Sequence, residues 1–182
     1  MMRRFRKPLI NAVPMTAAQI EVLSKANALV ANQQFAQAAP LFAELAREME
    51  NSQHPRRAAN LHAQAAHAYA GGGDAAQALA QARAALNLFI QYQMVQRTPV
   101  FYANITRKLT QHGMTDAANA LQTEFGSRVG AMPAPQAPMG TVKLLPTNCP
   151  KCGAPLGGEV TWVDANTAEC EFCGALIRPG AS

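Results

Sequence analysis

From Thr16 to about Phe125 the apolar positions recur with a helical period. Ala38, Leu41, Phe42, Leu45 and Met49 share one face of a helix. Ala75, Ala78, Leu79, Ala82, Leu86, Phe89 and Ile90 share another, and Ala118, Leu121 and Phe125 a third. Between them lie the stripes Ile20, Leu23 and Val30, then Leu61, Ala65, Ala66 and Tyr69, then Val100, Tyr102, Ile105 and Leu109. The pattern predicts six helices paired into three hairpins over residues 16–126.

Punctuation agrees with the stripes. Thr16 followed by Gln19 makes a capping box, in which hydroxyl and amide satisfy N–H groups that the first turn leaves unpaired. Pro55 and Pro99 suit first helical positions, where a missing N–H costs nothing, and Thr98 is the expected N-cap before Pro99. Asp74 is expected to cap the fourth helix after the turn Gly71-Gly72-Gly73, and Thr115 the sixth after Gly113.

Ala38, Ala78 and Ala118 are spaced forty residues apart, each near the start of the second helix of its hairpin. A fixed period of this size marks a stack of units that cannot bury their apolar faces alone. The run from Tyr69 through Gly71-Gly72-Gly73-Asp74 to Ala78 and Leu79, continuing to Ala82 and Ala85, resembles the heart of a tetratricopeptide repeat. Ala26, Leu29, Phe35, Ala38 and Phe42 match it in the first hairpin, and Leu109, Gly113 and Ala118 in the third. The likeness spans residues 19–125 and implies a mainly α fold: three hairpins stacked as a tetratricopeptide-like solenoid that binds a protein or peptide. The period exceeds the ~34 residues of that family, and Pro40 falls one turn inside a helix. An alanine-rich six-helix bundle is the alternative arrangement. On a solenoid the first helix of each pair lines the concave face, which makes Asn27, Asn60, His67, Asn104 and Arg107 candidate partner-binding residues. Asn27 falls where tetratricopeptide clamps for C-terminal carboxylates carry Asn, although the accompanying Lys and Arg are not reproduced.

Residues 127–146 hold Pro133, Pro135, Pro138 and Pro146 with Gly130 and Gly140, the composition of a flexible tether that lets two lobes move independently. Beyond it, Cys149-Pro150-Lys151-Cys152-Gly153 and Cys170-Glu171-Phe172-Cys173-Gly174 repeat one motif, with seventeen residues between Cys152 and Cys170. Two residues between ligands let one tight turn aim both sulfurs at a single ion, and the following Gly can take a positive φ. The stretches 159–163 and 167–170 read as a hairpin joining the knuckles, and 175–177 as a third short strand. Residues 147–182 therefore resemble a β zinc ribbon, with Cys149, Cys152, Cys170 and Cys173 as ligands of one structural zinc ion. A rubredoxin-like iron site and redox-active dithiols are the alternatives. Trp162 and Phe172 are read as covering the metal hairpin.

The net charge of +5 is unevenly placed: residues 1–15, a basic arm expected to be disordered, carry +4 and the ribbon carries −2. No stripe of Lys and Arg covers a folded face, which disfavours nucleic acid as a partner of the body. The arm lacks an apolar core for secretion, although a mitochondrial presequence is also basic and acid-free. No apolar run has the ~20 residues of a membrane span. Cysteines confined to two metal-like pairs fit a reducing, cytoplasmic setting. The four histidines show no paired-ligand spacing and are read as solvated or groove-lining, and no phosphate loop, nucleophile elbow or catalytic carboxylate pair is present. The expected function is a non-enzymatic adaptor with a structural ribbon. The alternatives are a nucleic-acid-associated factor using ribbon and arm, and a thiol oxidoreductase.

Overall fold

The computed structural model describes residues 15–132, 145–156, 161–164 and 167–178. It contains six helices, α1 (Ala17–Ala31), α2 (Phe35–Asn51), α3 (Pro55–Gly72), α4 (Ala75–Gln91), α5 (Arg97–Gln111) and α6 (Thr115–Gly130). An antiparallel sheet follows, with β1 (Thr161–Asp164), β2 (Thr167–Glu169) and β3 (Leu176–Ile177) in that order. Each helix packs on the next in the chain, and α3 also meets α5 and α4 meets α6. No helix among the described residues is long and apolar enough to cross a membrane.

The turns explain the regularity. After α1, α2, α3, α4 and α5 one residue enters the left-handed region: Gln33, Gln53, Gly73, Gln93 and Gly113. They are spaced twenty residues apart, so one helix with its turn fills half of the forty-residue period. Each turn is closed by the same bond, in which the N–H after the left-handed residue donates to a carbonyl five residues back. Gln34 to Leu29, His54 to Met49, Asp74 to Tyr69, Met94 to Phe89 and Met114 to Leu109 span 2.8–3.0 Å. These are 6→1 bonds of the Schellman type, which satisfy carbonyls that a helix end leaves open.

The turn, more than the cap side chain, sets where each helix begins. Thr16 and Gln19 do form the capping box, and Asp74 accepts from the Gln77 N–H at 3.0 Å. Thr98 and Thr115 are not N-caps. Helix α5 starts at Arg97, and the Thr98 hydroxyl, fully buried, donates back to the Met94 carbonyl at 2.9 Å. Helix α6 starts at Thr115 itself, directly after the closed turn at Gly113 and Met114. Gly71 and Gly72 are also helical, so of the three glycines only Gly73 makes the turn. Gly71 is small for another reason: a Cβ there would lie 2.9 Å from the Phe35 ring, which packs across the end of α3.

Helix α3 is the axis of the core. Its Ala58, Leu61, Ala65 and Ala68 face one cluster with α1 and α2, while Ala59, Ala66 and Ala70 face a second with α4, α5 and α6. Alanine on both sides lets neighbouring helices approach closely, and this is the packing use of the chain's alanine excess. Two expected boundaries shift. Helix α6 runs through Ser127, Arg128, Val129 and Gly130, because Val129 is buried in the second cluster, so the tether does not start at 127. Met15 belongs to the first cluster and not to a free arm. Residues 1–14 and 133–144, which hold the basic arm and most of the tether, lie outside the described residues.

Candidate metal centre

Each cysteine pair is held by a turn of the same build. The Cys149 N–H donates to the Ala154 carbonyl and the Gly153 N–H to the Cys149 carbonyl, both at 2.8 Å. The second knuckle repeats this with Cys170, Ala175 and Gly174, again at 2.8 Å. Gly153 and Gly174 take φ of 72° and 75°, a conformation that strains any residue with a Cβ. Behind the knuckles, β1 pairs with β2 and β2 with β3, while Asn148 bridges Pro155 beside the first turn. The expected third strand is present. Of the aromatic pair, Phe172 is buried, and the Trp162 side chain lies outside the described residues.

These turns bring the four cysteines together. All are buried and unoxidised, and their sulfurs lie within 4.8 Å of one another. Cys149 Sγ stands 3.8 Å from Cys173 Sγ, and Cys152 Sγ 3.9 Å from Cys170 Sγ. A disulfide needs ~2.05 Å, whereas four sulfurs at ~2.3 Å from one tetrahedral ion stand ~3.8 Å apart. The donor set and spacing therefore fit a metal ion. Hydrogen bonds from Cys152 and Cys173, helped by the backbone N–H groups of Cys173 and Phe172, hold the Cys170 thiol far below its usual range. Its bond to Cys170 pushes the Cys152 thiol up in turn. Backbone N–H groups of Ala154 and Ala175 reach Cys152 and Cys173 at matching places in the two knuckles. Such donors stabilise thiolates, the form that binds a metal. Among the described residues no other group of His, Cys, Asp or Glu gathers in this way.

The four-cysteine cluster and the knuckles around it are not separate from the helices, as a freely tethered lobe would be. Cys149, Cys152, Ala154, Cys170, Phe172, Cys173 and Ile177 belong to the same buried cluster as Leu23, Ala26, Phe42 and Leu61, with Leu145 packed against it. The Asn27 amide donates to the Cys152 carbonyl at 2.8 Å. Arg57 Nη2 lies 3.3 Å from Glu169 Oε1, and Arg97 pairs with Glu171. A Cβ on Gly153 would reach the Asn27 side chain, and one on Gly174 would clash with the Arg57 guanidinium.

The five expected groove residues therefore divide. Asn27 touches the ribbon directly, and Asn60 does so through Arg97, whose Nη1 donates to Asn60 Oδ1 at 2.7 Å. His67 is mostly buried, edge-on to the Phe101 ring at 5.4 Å, and burial with the nearby Lys108 charge lowers its pKa to about 4. Asn104 accepts from Arg107 at 2.7 Å on the exposed surface, away from these contacts. His62, expected to be solvated or groove-lining, is buried, with Nδ1 2.6 Å from Gln81 Oε1 and Nε2 3.4 Å from Glu50. Arg57, Arg97, Glu169 and Glu171 escaped the sequence reading, although Arg57 and Arg97 stand one forty-residue period apart and two glutamates flank Cys170.

Comparison with family models, with curated proteins and with solved structures finds no match. The class is therefore defined by the chain itself: a mainly helical protein with a small sheet and a buried four-cysteine site that can hold a metal ion.

Proposed function

We propose that the protein is a non-enzymatic adaptor: stacked helical hairpins hold a protein or peptide partner, and a ribbon folded on one structural zinc ion serves as its accessory module. The observation that carries the structural-metal part of this reading is the enclosure of four cysteine sulfurs, paired at 3.8 and 3.9 Å, between two knuckles of the same build. Zinc is the ion of choice for four thiolates in a tetrahedron. Four protein ligands fill its coordination sphere, so the metal's contribution is folding free energy, on the order of 10 kcal/mol for small structural sites. The solenoid reading is supported by the twenty-residue phase of the five turns and by the contacts of α3 with α5 and of α4 with α6.

Nucleic-acid binding is the less favoured alternative, because Arg57 and Arg97 already meet glutamates of the ribbon. Elemental analysis of the purified full-length chain is expected to return one zinc per chain. Affinity capture followed by titration of the recovered protein against the chain is expected to show saturable binding. Zinc-free material that resists reconstitution, or tight binding to random oligonucleotides that falls steeply with salt, would replace this reading.

A further inference from the structure

The same repeat that spaces the helices spaces two arginines. Arg57 near the start of α3 and Arg97 at the start of α5 are forty residues apart, and each meets a glutamate that flanks Cys170. Arg57 is buried, and Glu169 compensates its charge. Arg97 is steadied by Asn60 of α3 while it holds Glu171. On the first knuckle, Asn27 of α1 holds the Cys152 carbonyl, and on the second Gly174 leaves room for the Arg57 guanidinium. Both knuckles are thus gripped, one by an amide and one by two guanidinium groups. The separation of the two gripped points is set by the cluster of four sulfurs between them.

We propose that the face built by α1, α3 and the start of α5 is a receptor for an acidic turn, that the chain's own second knuckle is its resident occupant, and that the metal ion decides whether it is seated. This inference rests on the metal-site reading given above. With the ion bound, Cys152 O, Glu169 and Glu171 are presented together at the spacing that Asn27, Arg57 and Arg97 require. Without it, a ribbon this small has no core of its own to hold the knuckles in register. The ribbon then leaves, and a face with two cationic groups, an amide and the apolar side of Leu23 opens to a partner. Linkage makes the effect reciprocal: seating tightens metal binding by the factor by which the metal favours seating.

The test uses the full-length chain. Small-angle scattering compares the zinc-loaded protein with protein treated with EDTA, and chelator competition measures zinc affinity. Removal of zinc is expected to increase the maximum dimension. Arg57→Gln with Arg97→Gln is expected to do the same with one zinc still bound, and to weaken zinc affinity about tenfold. Asn27→Ala, which alters no charge, is expected to move both readings in the same direction and keeps the test decisive if the double variant does not fold. EDTA-treated protein as compact as the loaded form, or variants as compact and as tight as the parent, would overturn the latch while leaving the metal site intact. A parent chain that takes up no zinc would overturn the site reading itself, and the latch with it.

Discussion

Gln33 and Gly73 occupy the same point of the same turn, forty residues apart, at φ of 58° and 86°. Glycine adopts this conformation freely, whereas a residue with a Cβ loses roughly 1–2 kcal/mol in it. Part of that gain is offset by the greater freedom of glycine in the unfolded chain. Gln33→Gly is therefore expected to raise stability by about 0.5–1 kcal/mol, and Gln53→Gly and Gln93→Gly to act alike. Urea denaturation checks the shift. The reverse change, Gly113→Ala, meets no atom within 4 Å of the new Cβ, so its expected cost of about 1 kcal/mol is a pure backbone term.

Gly71 is a different kind of glycine. It is helical, and what excludes a side chain is the Phe35 ring, 2.9 Å from where a Cβ would stand. Gly71→Ala is expected to cost about 1–3 kcal/mol, even though alanine is the better helix former, because the ring must move. Phe35→Leu should relieve the clash, so the double variant should be more stable than the two single costs together predict. A double-mutant cycle in urea measures this coupling. Strict additivity would mean that the ring does not limit the site.

What could be read from the sequence follows from how local each cause is. The knuckles were legible because Cys-x-x-Cys-Gly carries its whole geometry within five residues, and the alternating run 159–163 pointed to the intervening strand. The capping box at Thr16 was legible for the same reason. Thr98 and Thr115 misled, since their helices start after closed turns: Thr98 is the second residue of its helix and bonds back to the Met94 carbonyl, and Thr115 is the first residue of its own. Gln33, Gln53 and Gln93 carry no intrinsic turn preference. Only their phase with Gly73 and Gly113 marks them, and that phase becomes a signal once the period is read as twenty. The seating of the ribbon was hidden because Arg57 and Glu169 are 112 residues apart. Charges summed by segment reveal a basic arm and an acidic ribbon but not which pairs meet. The length of tether between them also suggested independence that the shared core denies.

His67 gives the helical domain a pH dependence of its own. Burial, and after it the Lys108 charge, lowers its pKa from the ordinary 6.5 to about 4. The folded chain therefore resists a proton that the unfolded chain accepts. Above pH 6.5 neither form is protonated and stability is unaffected. Below it the unfolded state is favoured, and the loss grows until the folded pKa near 4 is passed. Between pH 7 and pH 5 this amounts to about 2 kcal/mol. Protonation of thiolates at the proposed metal site would also lower stability in acid, so the measured quantity is the difference between variant and parent. His67→Gln is expected to lose about 2 kcal/mol less than the parent across that interval, measured by urea denaturation at both pH values. Equal losses would show that His67 is protonated in the folded protein.

Phe172 tests whether ribbon and helices share one core. It lies between Glu171, which Arg97 holds, and Cys173 of the four-cysteine cluster, and is buried in the cluster that also contains Leu23 and Phe42. Truncating a buried phenylalanine costs about 3–5 kcal/mol where the surroundings cannot collapse. Were the ribbon only hung from a tether, that loss would stay within residues 145–178, and the amides of α1 and α2 would exchange at the parent rate. Because the core is continuous, Phe172→Ala is expected to accelerate amide exchange in α1 as well as in the knuckles. Helix α1 is the first helix and contacts α2 as its main helical neighbour, so it depends most on residues 145–178 for cover. Helices α4 to α6 are buried in the second cluster and should keep their protection. Hydrogen exchange followed by mass spectrometry reads all three regions in one experiment. Acceleration confined to the ribbon would mean that the two cores are energetically separate.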